Sequence, residues 1–73
     1  MYIHEAIKLA LEKKCYIHST NEFLEMLYFE PTNCFQQGIV IHRKNGARKP
    51  VPHWNPKAED LISDEWEIYD MQK

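Results

Sequence analysis

Seventy-three residues, 44% of them hydrophobic and 27% charged, fit one small globular domain and exclude a disordered chain. A net charge of −2 with a pI near 6.0 lacks the basic excess of a DNA- or RNA-binding protein. No apolar run is long enough for a membrane span, and Met1 leads into Tyr2-Ile3-His4 with no signal-peptide pattern, so the expected location is the cytoplasm.

Residues 3–14 read as an amphipathic helix. Ile3, Ala6, Ile7, Ala10 and Leu11 recur at three- and four-residue steps, and the lysines of the last turn suit the negative end of the helix dipole. Cys15-Tyr16-Ile17-His18 favours an extended chain, and Ser19-Thr20-Asn21 is turn chemistry. Residues 23–29 fit a helical face or a buried strand; their length and aromatic content favour the strand. Glu30-Pro31-Thr32-Asn33 marks a turn, and the β-branched run Ile39-Val40-Ile41 marks a strand over residues 38–44.

Asn45-Gly46 predicts a two-residue hairpin with both turn residues at positive φ. That register puts Lys44 opposite Ala47, Arg43 opposite Arg48, His42 opposite Lys49 and Ile41 opposite Pro50. Pro50 and Pro52 then land where no ladder donor is needed, so residues 47–52 form a sheet edge. Asn55 suits the cap of a short helix opened by Pro56, with Ala58, Leu61 and Ile62 on its inner side. Residues 65–69 alternate as a last strand, with Trp66 and Ile68 on one face, and residues 70–73 read as a frayed tail. The fold class is α+β: two helices on a small, mostly antiparallel sheet within one domain over residues 1–73.

No catalytic constellation is apparent. The histidines and cysteines lack the spacing of a structural zinc site, and Cys15 and Cys34 read as free thiols. Neither a metal nor a cofactor is expected. The carboxylates Glu59 and Asp60 suit a first helical turn, where negative charge meets the helix dipole. Residues 42–49 carry five Lys, Arg or His, and Arg43 facing Arg48 is a like-charge pair. Two readings stay open: an anion held between the arginines, or a solvated tip that discourages edge pairing. Trp66 reads as core. Trp54, before a helix start, reads either as a core plug or as a ring that stacks on a nucleobase, a contact worth roughly 1–3 kcal/mol.

The order Trp54-x-Pro56-x-x-x-Asp60-Leu61-Ile62-Ser63-x-Glu65-Trp66-Glu67 resembles the C-terminal signature of a family of small phage proteins, the second group of Thoeris anti-defence proteins. That signature runs close to Trp-x-Pro-Ser-Gln-x-Asp-Leu-Leu-Ala-x-Asp-Trp. Glu5-Ala6-Ile7 and Lys13-Lys14-Cys15 also fit the family's opening helix and its turn into a strand. The resemblance spans most of the chain in order and is specific over residues 54–67. It implies a non-catalytic homo-oligomer, a dimer or tetramer, that holds cyclic ADP-ribose isomers or related cyclic nucleotides between subunits and so silences a host effector. Two departures stand out. Lys57-Ala58 replaces the family's Ser-Gln, and His18-Ser19-Thr20-Asn21 replaces its Arg-x-x-Trp, with Phe23 the nearest aromatic.

The expected ligand contacts are Asn21, Phe23, Arg43, Arg48, Trp54, Lys57 and Asp60. The cations meet phosphate, the rings stack, and Asn21 and Asp60 bond to base or ribose. The main rival is a protein–protein module that blocks a host protein through an aromatic surface; a small hydrolase is a minor third.

Overall fold

The computed structural model describes residues 1–22, 24–46 and 49–70. Helix α1 (Ile3–Lys13) starts where the Glu5 carboxylate accepts the Tyr2 N–H at 3.0 Å. Ile3, Ala6 and Ala10 bury its inner stripe. It stops at Lys14, which turns left-handed (φ 57°) while the Cys15 N–H donates to the Ala10 carbonyl.

Strands β1 (Tyr16–Ser19), β2 (Leu27–Pro31), β3 (Ile39–Arg43) and β4 (Trp66–Tyr69) form one antiparallel sheet in the order β3-β2-β1-β4. A second helix, α2 (Ala58–Ile62), precedes β4. Ile17 is central: it pairs with Phe29 on one side and Ile68 on the other. Period-two alternation sends Ile17, Phe29 and Trp66 to the α1 face, where all three are fully buried with Ile3, Ala6 and Ala10. Trp54 completes this core, its ring centroid 4.4 Å from Phe29 and 5.6 Å from Trp66. The fold is α+β, as the sequence predicts, and Trp66 is core.

Several boundaries move. β2 begins at Leu27, because Leu24 N–H bonds to Asn21 O and Leu27 N–H to Leu24 O, which puts Leu24 to Met26 in turns. β2 also runs through Pro31, opposite Ile39. The turn falls later, where the Thr32 hydroxyl donates to Gly38 O and accepts from Cys34 N–H.

The hairpin register is corrected as well. Gly46 N–H donates to Arg43 O at 3.0 Å, and Gly46 has φ 68° while Asn45 is not at positive φ. Glycine thus stands fourth in the turn, not third, and the return is offset by one residue. Ile41 exchanges both backbone bonds with Val51, at 2.8 and 3.0 Å, where Pro50 was expected. Val51, flanked by Pro50 and Pro52, meets β3's outer side through this isolated bridge, and the described residues of the return form no strand of the sheet. The expected pairs at Ala47 and Arg48 lie outside the described residues.

α2 also starts later than Asn55-Pro56 implies. Lys57 is its N-cap, and the Asp60 Oδ2 accepts the Lys57 N–H at 2.8 Å. A reciprocal carboxylate holds the first turn here. The Trp66 indole N–H donates to Asp60 O at 2.8 Å, which fastens α2 to the core.

Candidate functional site

One end of the sheet collects most of the residues that sequence reasoning selects. Arg43 pairs with Leu27, and Ser19 pairs with Trp66. Continuing the Ile17–Phe29 register puts Leu27 beside Ser19, so Arg43, Leu27, Ser19 and Trp66 form one cross-strand row. At roughly 4.8 Å per strand, Arg43 lies about 10 Å from Ser19 and about 14 Å from Trp66.

Beyond this row, Ser19, Asn21, Leu24, Lys57, Asp60 and Trp66 line a recess of about 40 Å³. The buried Ser19 hydroxyl accepts the Asn21 N–H at 3.0 Å, which sets the loop's exit from β1. Asn21, Lys57 and Asp60 are therefore neighbours around one opening, though 36 residues separate Asn21 from Lys57. Trp54 is half-buried against Trp66, which forms the recess floor. Arg43 is exposed, three strands from that floor. Phe23 and Arg48 lie outside the described residues.

The recess is far smaller than the roughly 300–1,000 Å³ of a typical ligand pocket. It holds water or one polar group of a ligand. Its local charge is mixed. Lys57 brings one cation and Glu59 and Asp60 bring two carboxylates, one oxygen of Asp60 being occupied by the cap bond. The short α2, capped by its own Asp60, offers no anion cradle at its start.

A second feature escaped sequence reasoning. On the sheet face away from α1, Tyr16, His18, Tyr28, His42 and Tyr69 stand together, joined by Lys44 just past β3. Tyr28 and His42 are cross-strand partners whose rings stack 4.7 Å apart at an interplanar angle of 6°. Tyr16 meets Tyr28 edge-on at 5.0 Å, and Tyr69 lies 5.0 Å from Tyr28. The Lys44 ammonium sits 4.8 Å from the Tyr69 ring centroid and donates to His18 Nδ1 at 3.1 Å. That bond assigns the His18 proton to Nε2, which faces Glu67 Oε1 at 3.5 Å. His42 Nε2 pairs with Glu30 Oε1 at 3.0 Å.

Burial, and then Lys44, push the His18 pKa below its ordinary 6.5; Glu67 opposes them. Burial also raises the Tyr28 phenol, helped by Tyr16, Tyr69 and Glu30. The signal for this cluster was present in the outward positions of the four strands: Tyr-x-His, Tyr-x-Glu, His-x-Lys and Glu-x-Tyr. Reading each strand alone hides it, because only the register joins them. Among the described residues no group of three or more His, Cys, Asp or Glu side chains is placed to hold a metal ion. No helix of the described residues is long and apolar enough to cross a membrane.

Compared with known proteins, residues 1–69 match the model of the Thoeris anti-defense 2-like domain. No curated protein and no solved structure matches the chain. With 69 of 73 residues inside that match, the chain belongs to the Thoeris anti-defence 2-like family, and its role is to counter Thoeris defence.

Proposed function

We propose that this is a phage protein that binds and sequesters a cyclic nucleotide immune signal, a cyclic ADP-ribose isomer or related cyclic oligonucleotide, and leaves it uncleaved. The carrying observation is the gathering of Asn21, Lys57 and Asp60 around one recess, with Arg43 in the adjoining strand row. Lys57 and Arg43, with Arg48, supply charge for phosphate oxygens. Asn21 and the remaining oxygen of Asp60 bond to base or ribose hydroxyls. Trp54 and Phe23 supply ring surface for the base. An opening of about 40 Å³ is too small to enclose a nucleotide, so a second copy of the chain closes the site. The action is stoichiometric and takes place in the host bacterial cytoplasm. A sponge of this kind needs about nanomolar affinity, roughly −12 kcal/mol.

Calorimetry with cyclic ADP-ribose isomers and cyclic di- and trinucleotides tests this. Tight binding to one of them, weakened by about tenfold or more in Lys57→Ala or Arg43→Ala, supports it. Intact ligand recovered after heat denaturation supports sequestration over hydrolysis. Failure to bind every one of these compounds sinks the proposal.

One observation favours the rival, direct blockade of a host protein. Phe35 is 96% exposed on a loop pinned by the Thr32 and Cys34 hydrogen bonds. A fixed, fully presented ring is the kind of anchor that fills a partner's pocket. Loss of anti-defence activity in Phe35→Ser, with nucleotide binding intact, would favour that reading.

A further inference from the structure

α2 turns outward the side chains that its spacing sends inward. None of its residues is buried: Ile62 is 73% exposed and Leu61 50%. A helix this short owes its place to tertiary bonds, and here the Trp66 indole supplies one from behind, at Asp60 O. Tyr2, 49% exposed, shares a shallow hollow with Ile62. It is fixed there because Trp66 N–H donates to Met1 O at 3.1 Å and Met1 N donates to Asp64 O at 2.9 Å. The hollow borders the recess but is open to solvent, and the Phe35 loop follows β2 at the other end of the sheet.

The rim of this hollow is acidic. Glu59, Asp64 and Glu65 line it, and Glu22 joins Glu65 in the adjoining depression. No Lys, Arg or His lines either one, and among the described residues none of the four carboxylates has an ion-pair partner. Lys57 lines the recess and not the hollow. The Met1 amine is taken up by the carbonyls of Asp64 and Trp66.

Exposed apolar side chains with a polar rim mark a docking surface, and here charge decides what docks. A phosphate-bearing ligand meets carboxylates and is repelled. A second copy fares no better, because in a two-fold contact the face meets itself and carries no cation to complement it. A segment with Lys or Arg on either side of an apolar residue satisfies both halves of the surface.

We propose that the hollow between Tyr2 and Ile62 docks a basic segment of a partner protein, with an apolar side chain seated on Ile62 and Tyr2 and its flanking cations against Glu59, Asp64 and Glu65. The proposal goes beyond nucleotide capture and stands without it.

The probe is a short synthetic peptide of Lys, Arg and Leu in equal number, titrated into the isotopically labelled chain and followed by amide resonances. Two controls carry Ser for Leu, or Glu for Lys and Arg. The leucine peptide is expected to bind and to shift Tyr2, Ile62 and Asp64. The serine peptide should bind about tenfold more weakly or worse, and so should the leucine peptide to Ile62→Ser, since the apolar seat is lost. Asp64→Lys with Glu65→Lys should weaken it by as much through charge. Leu11→Ser, about 14 Å along α1 from Tyr2, should bind as the wild type does. Circular dichroism confirms that each variant folds. No binding of the leucine peptide, equal binding of the serine or glutamate peptide, unchanged affinity in Ile62→Ser, or shifts elsewhere on the molecule overturns the surface. So does self-association that falls in Ile62→Ser, because a second copy then owns the face. Ile62, Asp64 and Glu65 have no part in the proposed nucleotide contacts, so failure of nucleotide binding in calorimetry leaves these readouts unchanged.

Discussion

The recess end and the aromatic face share the same four strands but are assembled by different logic. The recess is made of loop and cap residues: Asn21 after β1, Lys57 and Asp60 at the start of α2. Its geometry depends on local hydrogen bonds of 2.8–3.0 Å that short motifs encode. The aromatic face has no local code. Tyr16, Tyr28, His42 and Tyr69 meet only because antiparallel pairing aligns four separate strands. The recess is a small polar opening set by short-range bonds, and the ring surface is a packed layer set by strand register.

Trp66 lines the recess and, from the opposite side of the sheet, supports the strands that carry the rings; it gives the largest expected effect. It is fully buried, it floors the recess, and its indole N–H ties α2 to β4. Trp66→Ala should cost about 3–5 kcal/mol and collapse the distinction by unfolding both regions, as urea denaturation would show. Trp66→Phe separates the hydrogen bond from the packing. It should cost about 1–3 kcal/mol, because the Asp60 carbonyl loses its donor.

Asp60→Ala breaks the recess alone. The Lys57 N–H loses its carboxylate, and α2 should lose about 0.5–2 kcal/mol of capping. The Tyr28–His42 stack should not change, since the aromatic face has no part in this cap. A shift of the Tyr28 or His42 ring resonances in this variant would show that the two regions are coupled.

The sequence discloses these regions unequally for a physical reason. α1 is legible because its apolar stripe and its lysine-rich end lie within a dozen residues. Trp66 is legible because strand alternation alone points it inward. The Asn45-Gly46 turn is legible as a turn but not in register: Asn-Gly tolerates positive φ at both residues, yet only Gly46 takes it, and one residue of offset follows. The cap of α2 was misread because Asn55-Pro56 is a good local start, while Asp60 reaching back to Lys57 is a better one in place. No local pattern joins Asn21 with Lys57 and Asp60, so their place around one recess is not legible in the sequence. The face around Tyr28 needed the register and was missed.

Lys14 gives a smaller effect, confined to the end of α1 and distant in kind from either region. A non-glycine residue at φ 57° carries roughly 1–2 kcal/mol of steric strain. Lys14→Gly should therefore raise stability by a few tenths to about 1 kcal/mol once the extra freedom of glycine in the unfolded chain is counted. Thermal melting would reveal it, with nucleotide binding and self-association both unchanged.

The subtlest test concerns pH and belongs to the aromatic face. His18 is held neutral: Lys44 donates to its Nδ1, and its Nε2–H faces Glu67. Burial and Lys44 set its pKa below 6.5 in the fold, whereas the unfolded chain titrates near the ordinary value. Between those two values the unfolded state binds more protons than the folded state. Stability is therefore full above 6.5 and falls as pH drops towards the folded pKa. His18→Gln isolates this contribution. Its amide oxygen can accept from Lys44 and its amide N–H can donate to Glu67, but it cannot titrate. Subtracting the variant's pH profile of unfolding free energy from that of the wild type should leave a slope confined to the region below 6.5. A flat difference would mean that Lys44 and Glu67 do not hold the imidazole as described, and the charge arrangement assigned to the aromatic face would lose its best internal check.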